Sequence, residues 1–120
     1  MKPTSFIVNI TSEAPDRMKT FYRDVLELPP NPDIGDGAFD LLPGLTLTID
    51  GHSETKGKAK EPHRLLIDFF VDDVAAEQTK LKSKGVKFIR EEVKEYWGGV
   101  ISTFLDPDGN YCQLVQYKPE

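Results

Sequence analysis

The apolar positions in the first half of the chain predict a strand, a helix and two more strands. Residues 5–10 are rich in β-forming side chains and predict a strand. Between residues 16 and 28 the apolar side chains recur at spacings of three and four, which predicts one amphipathic helix. Pro15 suits its first turn, where the missing N–H is not needed, and Ser12 is a candidate cap just upstream. Two further strands are expected at residues 38–42 and 45–50.

The same order of elements restarts after a polar stretch at residues 52–62, which predicts an exposed linker. Asp72 is the expected N-cap of a helix over residues 73–84, and Gly85 fits the position just after its end. The sequence Asp-Pro-Asp-Gly at 106–109 predicts a tight hairpin turn, because Pro presets the first turn residue and Gly supplies a positive φ. Strands are expected around these signals, at residues 65–71, 86–90, 100–105 and 111–117.

Two similar halves of this kind predict one α+β domain over residues 1–120. Module one is expected at about residues 4–52 and module two at about residues 63–118. Such a repeat can pack its sheets around a concave cleft, which is the usual place for a small ligand. The sequence therefore directs the search for function to side chains on the sheet faces.

The overall charge argues against one class of partner. The formal net charge is −5, and the basic residues are scattered apart from a small cluster at Lys56, Lys58 and Lys60. A nucleic-acid-binding face needs a basic patch, so no nucleic-acid partner is expected. No apolar run approaches the roughly 20 residues that span a bilayer, and no signal-peptide pattern opens the chain. We therefore expect no membrane partner and a cytoplasmic location. The single cysteine, Cys112, is expected to be a small core residue.

Several motifs resemble those of a known superfamily. They are FYRDVLEL at 21–28, GVKF at 85–88, WGG at 97–99, TFLDPDGN at 103–110 and LVQ at 114–116. In their order and spacing they are similar to the vicinal oxygen chelate superfamily, which contains glyoxalase I, bleomycin-resistance proteins and extradiol dioxygenases. The resemblance implies two β-α-β-β-β modules that form an open mixed-sheet barrel, and it also implies a homodimer.

The same resemblance implies a metal site whose ligands this sequence mostly lacks. The superfamily's metal enzymes bind a divalent ion through His and Glu side chains on the first and last strands of each module, where the ion acts as a Lewis acid. Aligned from the nearest motifs, these positions carry Ile7 or Asn9, Thr46 or Thr48, Leu66 or Asp68, and Gln113. A divalent site needs three or four His, Asp or Glu side chains, and Asp68 is the single carboxylate. We therefore expect no catalytic metal and no other cofactor.

The two histidines flank the predicted linker. One interpretation of His52 and His63 is a metal site at the rim of the cleft, or an acid–base pair that titrates near pH 7. The other is a pair of solvated loop side chains, which the sequence favours because no third ligand lies at a suitable spacing.

Strand parity selects the side chains expected to face the cleft. The predicted ligand-binding residues are Asn9, Thr48, Leu66, Phe70, Trp97, Tyr111 and Gln113, and Asp68 is the candidate catalytic residue. Aromatic side chains bury large areas, and amides both donate and accept hydrogen bonds, so the set suits a small, flat ligand with polar edges. On the opposite face, Phe69 and Leu114 are expected to pack against the helices.

Structural roles compete with these functional ones. Phe70, Tyr111 and Val115 fit the core equally well, and Trp97 fits a dimer interface, where Trp is enriched. For Asp68, an ion pair with Arg64 or Arg90 is the favoured structural interpretation.

Three hypotheses for function remain open on the sequence. The first is a small-molecule binder that resembles the bleomycin-resistance proteins and uses no catalytic metal. The second is a lyase or isomerase in which Asp68 acts as a general base without a metal. The third is a metal-dependent lyase or dioxygenase whose ligands lie at positions other than those aligned above.

Overall fold

The computed structural model describes residues 1–117, so the predicted end of module two, at 118, lies outside the described residues. The chain divides into two compact units, Met1–Gly57 and a second that begins at Lys58. Each unit has its own sheet and its own helix, so the α+β class expected from the sequence is confirmed. Among the described residues, no helix has both the length and the apolar content needed to cross a membrane.

The first unit is a three-stranded sheet with one helical element. Its elements are strand β1 (Phe6–Ser12), helix α1 (Pro15–Thr20), a π-helical segment (Phe21–Val25), strand β2 (Ala38–Leu42) and strand β3 (Leu45–Gly51). The strand order is β1-β3-β2, with β1 parallel and β2 antiparallel to β3. A parallel pair needs a crossover connection, which α1 and β2 supply here.

The helix of this unit differs from the single helix predicted over residues 16–28. Its first six residues are α-helical, and the next five widen into a π-turn. The chain leaves the helix at Glu27, whose φ of 56° is left-handed, and the Leu28 N–H donates to the Tyr22 carbonyl at 3.2 Å. Ser12 does not cap the helix, because its Oγ accepts from the Ala14 N–H two residues on, at 3.0 Å.

The core of the first unit forms between the helix and one face of the sheet. Met18 and Tyr22 are fully buried, and so are Phe39, Leu47 and Ile49 to within 2%. Alternate β3 residues, Thr46 and Thr48, are only partly buried, as the predicted alternation of apolar and polar faces requires. This alternation is what leaves one face of the sheet polar.

Three prolines limit the first sheet to three strands. Residues 29–31 run beside β2, where the Asn31 N–H donates to the Ala38 carbonyl and the Asp40 N–H donates to the Pro29 carbonyl, both at 2.8 Å. The ladder goes no further than a single bridge at Pro30, because Pro has no N–H to donate. In the first unit, residues 29–31 therefore form only a single bridge to β2, at the edge where the second unit has a complete fourth strand.

The second unit is a four-stranded sheet with one helix. Its elements are β4 (Ile67–Phe70), α2 (Val74–Ser83), β5 (Phe88–Lys94), β6 (Val100–Leu105) and β7 (Tyr111–Gln116). The order is β4-β7-β6-β5, with β4 parallel to β7 and the other pairs antiparallel. This is the β-α-β-β-β order that the resemblance implies.

Several boundaries of the second unit differ from the prediction. Asp73, not Asp72, is the N-cap of α2, since its carboxylate accepts from the Ala76 N–H at 3.0 Å. Strand β5 begins two residues late, because the Val86 N–H is used to close the helix onto the Leu81 carbonyl. It then continues to Lys94 because it pairs with β6 through two register shifts. Strand β4 is shorter than predicted, since its ladder with β7 runs only over residues 67–70.

The turn at 106–109 is held by one buried carboxylate. Asp106 is 4% exposed, and its Oδ1 accepts from the Asp108 and Asn110 N–H groups at 2.9 Å each. Its Oδ2 accepts from the Asn110 side-chain amide at 2.8 Å. Gly109 has the positive φ, 81°, that the sequence predicted. These bonds fix the hairpin that joins β6 to β7.

Replacing the small Asp106 side chain is expected to cause a large loss of stability. Asp106→Ala leaves two buried N–H groups without their acceptor, and hydrogen bonds to a charged group are worth about 1.5–3 kcal/mol each. We expect a loss of at least about 2 kcal/mol in urea unfolding, with no change in the denaturant slope. The matched control is Asp33→Ala at an exposed loop position, expected within about 0.5 kcal/mol of the parent. Equal stability of the two variants would contradict this role of Asp106.

Candidate functional site

The sheet of the second unit has one face covered by helix α2. The Gln116 side chain lies on this face, because its Oε1 accepts from the Val74 N–H at the start of the helix, at 3.0 Å. Side chains alternate along a strand, so Cys112 and Leu114 share that face, and both are buried. Phe69 is the register partner of Leu114. The prediction that Cys112 is a core residue is confirmed, and Leu114 is buried on the helix side of the sheet as predicted. Phe69 shares that face but is only partly buried, and its packing against the helices stays a prediction.

The opposite side of this sheet is here called the open face. It carries two rows of side chains, each running across all four strands in register. The polar row is Asp68, Gln113, Thr103 and Arg90, and the apolar row is Phe70, Val115, Ile101 and Val93. Neighbouring strands lie about 4.8 Å apart, so adjacent members of a row are within contact distance of one another. The structure thus brings Asp68, Phe70 and Gln113, predicted from sequence, into one surface.

The polar row contains one amide that a hydrogen bond holds in place. The Gln113 Nε2 donates to the Thr103 Oγ1 at 3.0 Å, and Thr103 is 3% exposed. This bond uses one of the two Nε2 hydrogens and fixes the orientation of the amide, which leaves its Oε1 and its second N–H for a ligand. Thr103 was not among the predicted site residues, although counting outward from the 106–109 turn pairs it with Gln113.

Asp68 lacks the ion pair expected for it. The Arg64 guanidinium pairs with Glu61 at 3.2 Å, and the Arg90 guanidinium pairs with Glu95 at 2.8 Å. Among residues 1–117, no side chain donates a hydrogen bond to the Asp68 carboxylate. Although Asp68 reaches solvent, the surrounding side chains partly desolvate its carboxylate, and this raises the pKa of Asp68 above its usual 3.8. The carboxylate is therefore ready to accept from a ligand.

Aromatic side chains stand at both ends of the open face. Trp97 and Tyr117 lie with their ring centroids 5.9 Å apart, and Tyr111 lies 6.5 Å from the ring of His63. The Trp97 ring covers Gly99 so closely that a Cβ there would overlap the ring atoms Cζ3 and Cη2. Sequence reasoning predicted Trp97 and Tyr111 as ligand-binding residues, while Tyr117 was predicted only as the end of a strand.

The exposed fraction of each side chain shows which predicted residues are buried and which are accessible to a ligand. Val115 is 3% exposed, so although it belongs to the apolar row it is a buried residue and presents no surface to a ligand. Phe70 is 67% exposed and Leu66 is 47% exposed, so neither is a core residue of the second unit, while Tyr111 is half-buried. The exposed Phe70 ring therefore presents apolar surface beside the Asp68 carboxylate.

The two predicted residues of the first unit are also brought together. Asn9 and Thr48 are register partners on the polar face of the first sheet, and Thr48 lines a pocket of about 140 Å³ beside the Lys19–Asp36 ion pair. That volume accommodates about four or five water molecules and is below the roughly 300 Å³ of a typical ligand pocket. By itself this pocket does not fit a ligand with an aromatic ring.

The residues at the superfamily's metal positions do not fit a divalent ion. Within each sheet the register confirms that these positions are neighbours, since Ile7 pairs with Thr46, Asn9 with Thr48, and Asp68 with Gln113. Their donors are hydroxyls, amides and one carboxylate. In the part of the chain that the structure describes, no three His, Cys, Asp or Glu side chains converge on one point.

The histidines lie in loops. His52 is exposed, and its Nδ1 accepts from the Glu54 N–H at 3.1 Å. His63 is exposed and stands beside Tyr111 at one end of the open face. Both positions agree with the interpretation of solvated loop histidines.

Comparison with known proteins gives the family. The sequence model of the Glyoxalase/Bleomycin resistance protein/Dioxygenase superfamily matches residues 7–114, which is most of the chain. This chain belongs to that superfamily. The resemblance seen in the sequence motifs is therefore confirmed. No curated protein is similar enough to this sequence to be matched.

Solved structures show that the fold of this glyoxalase-superfamily chain is a common one. A glyoxalase/bleomycin resistance protein/dioxygenase family enzyme from Burkholderia phytofirmans PsJN superimposes with a TM-score of 0.73 at 20% identity, over 92% of this chain and 96% of that one. A superfamily member from Sphaerobacter thermophilus DSM 20745 gives 0.72 at 18% identity, over 97% and 98%. A protein of unknown function from Agrobacterium tumefaciens str. C58 gives 0.71 at 24% identity, over 97% and 94%. At these identities the likeness shows the fold alone.

Removing the charge of Asp68 is expected to stabilise the protein at neutral pH. Because desolvation raises its pKa, the folded state binds the proton more tightly than the unfolded state, so ionised Asp68 opposes folding. Asp68→Asn should therefore raise the urea midpoint at pH 7, and the gain should shrink as the pH falls to 3.8 and below. Asp33→Asn, at an exposed loop position, controls for the loss of one negative charge. A lower midpoint for Asp68→Asn at pH 7 would show that the carboxylate has a stabilising partner.

The Trp97 ring provides a second test of the open face. Gly99→Ala places a Cβ against the ring and 2.8 Å from the backbone carbonyl of Gln116, so the ring has to move. We expect a red-shifted fluorescence maximum from this single tryptophan and a loss of about 1–3 kcal/mol of stability. Gly51→Ala is the matched control, since its Cβ would meet no atom closer than 3.7 Å. An unchanged spectrum for Gly99→Ala would contradict the position of the ring.

Proposed function

We propose that this protein binds a small organic molecule on the open face of its second sheet and needs no catalytic metal ion to do so. The observation that carries the proposal is the pairing of two free acceptors, the Asp68 carboxylate and the Gln113 Oε1, with the exposed ring of Phe70 one row away. Aromatic surface with a few oriented polar groups is the usual composition of a ligand site.

The donor set supports the metal-free part of the proposal. A divalent ion is held by ligand number and geometry, and a neutral Gln stands at the position where the resemblance places a Glu. The Gln113 amide is moreover committed to Thr103 through its nitrogen. The chemistry of these residues suits hydrogen bonding to an organic ligand better than coordination.

The remaining predicted residues keep their place in the proposal. Leu66, Trp97 and Tyr111 extend the aromatic and apolar surface, and Asn9 and Thr48 on the first sheet stay predicted ligand-binding residues. A homodimer and a cytoplasmic location stay predictions as well. Nothing in the charge or the motifs favours a nucleic-acid partner.

A second candidate function is an enzyme that uses Asp68. The unpaired carboxylate with its raised pKa has the properties of a general base that removes a proton from a carbon or oxygen of the substrate. Lyase and isomerase reactions begin with such a step. If Asp68→Asn keeps full turnover of an identified substrate, this candidate is eliminated. A metal-dependent lyase or dioxygenase is the least supported by the donor set.

The proposed function is tested by ligand-induced stabilisation. We expect a chemically mixed library of small molecules, of all charges, to contain compounds that raise the melting temperature of the purified protein and are recovered unchanged. EDTA should leave that shift intact. The variant Gln113→Leu should weaken binding about tenfold, because it removes one oriented acceptor. The control is Ser53→Ala, at an exposed loop position of the first unit, which should leave binding unchanged.

Two results would contradict the proposal. The first is that no compound of any charge stabilises the protein. The second is about one tightly bound Ni, Zn, Mn or Fe per chain, with a ligand response that EDTA abolishes.

A further inference from the structure

The polar row of the open face presents two neighbouring side-chain acceptors. The Asp68 carboxylate has no hydrogen-bond partner among residues 1–117, and the Gln113 Oε1 stands beside it on an amide whose nitrogen donates one of its two N–H groups to Thr103. Thr103 itself is buried beneath this contact. A ligand that meets the Asp68 carboxylate and the Gln113 Oε1 therefore has to bring the donors.

The charge of the open face is negative where Asp68 stands. The row's own cation, Arg90, belongs to the far strand β5, and its guanidinium is held by Glu95 at 2.8 Å. Asp68 lies on the other edge strand, β4, three strand spacings away, or roughly 14 Å. At that distance the charge of Arg90 is largely screened at physiological salt, and Glu95 cancels it locally. Within residues 1–117, Asp68 therefore has no cation paired with it.

The surroundings of this charge are aromatic. Phe70 is the next residue on the same face of β4 and is 67% exposed. Beyond it, Trp97 at 41% exposure and Tyr117 at 63% exposure lie ring against ring. Aromatic faces attract cations through their quadrupole, and they also cover the apolar part of a flat molecule. The Asp68 carboxylate, which has no cationic partner among residues 1–117, favours a cationic ligand. The exposed aromatic rings beside it independently favour the same kind of ligand.

We infer that the ligand of the open face is an organic cation: a flat, apolar molecule that carries a protonated amine or a similar N–H-donating charge. Its cationic group meets the Asp68 carboxylate and the Gln113 Oε1, and its apolar part covers Phe70 and the Trp97–Tyr117 pair. This inference rests on the proposed function and narrows it to one class of ligand.

The class of ligand is tested with three probes that share one ring system and differ in charge. The probes are (1-naphthyl)methylammonium, 1-naphthalenemethanol and 1-naphthoate, each titrated into the whole chain by calorimetry at neutral pH and low salt. We expect the ammonium probe to bind about tenfold more tightly than the alcohol, and the carboxylate probe to bind most weakly. Raising the salt should weaken the binding of the ammonium probe alone.

Two variants assign the preference to Asp68. Asp68→Asn keeps the shape of the side chain and should reduce the affinity of the ammonium probe to that of the alcohol, while the alcohol is unaffected. Glu77→Gln makes the same change of charge on helix α2, on the covered side of the sheet, and should leave all three affinities unchanged. Unfolding midpoints of both variants establish that they are folded when titrated.

The outcomes separate this inference from the broader proposal. Equal binding of the three probes, preference for the alcohol or the carboxylate, no binding of any probe at millimolar concentration, or an ammonium affinity that Asp68→Asn leaves intact would each overturn the inference. In all these cases small molecules of another class that stabilise the protein would leave the proposed function standing. Failure of the mixed library as well would overturn both.

Discussion

The geometry of the second unit depends on the register of its last hairpin. The buried Asp106 carboxylate closes the turn between β6 and β7 by accepting three hydrogen bonds, and the turn sets Leu105 opposite Tyr111. Thr103 then falls opposite Gln113. A slip of one residue would exchange the two faces of β7, bringing Cys112 and Leu114 out of the core and Gln113 into it. This one turn therefore sets Thr103 and Gln113 side by side on the open face.

The parallel pairing of β4 with β7 carries that register to the edge of the sheet. Asp68 lies beside Gln113 and Phe70 beside Val115 because the ladder starts at Ile67 and Cys112. Helix α2 reinforces this order from the covered side, where its first N–H groups bond to Asp73 and to Gln116. Core packing and helix capping therefore set which face of β4 is left open, and the chemistry of the open face follows from them.

The two units have the same order of helix and strands, but the first sheet has three strands and the second has four. The second has a full edge strand, β5, in the place where the first has only residues 29–31 bridged to β2. Prolines account for the difference, since each removes a donor from the ladder. The polar face of the first sheet is correspondingly narrow, with Asn9 and Thr48 in one row, whereas the second sheet aligns four side chains in each row. This width is why the second unit carries the stronger candidate site.

Partial desolvation raises the pKa of Asp68, so its ionised form is expected to oppose folding slightly. The two arginines expected to pair with Asp68 are held by Glu61 and Glu95 instead. Structural ion pairs of this kind are weak at exposed positions, so they influence the site chiefly by keeping both cations occupied. A side chain that lowers the stability of its own fold is a common mark of a functional position.

The sequence by itself determined the repeat, the family and most strands, because hydrophobic periodicity and turn residues act over a few neighbouring positions. It also predicted the correct faces for Asp68, Gln113, Phe69 and Leu114, since side-chain alternation is a local property of a strand. It did not determine that α1 widens into a π-turn, that Asp73 caps α2, or that Asp68 has no partner. Those outcomes depend on which groups compete for each hydrogen bond and each charge. Only the tertiary structure decides that competition, because it alone places Glu95 within ion-pair distance of Arg90 and Thr103 within hydrogen-bond distance of Gln113.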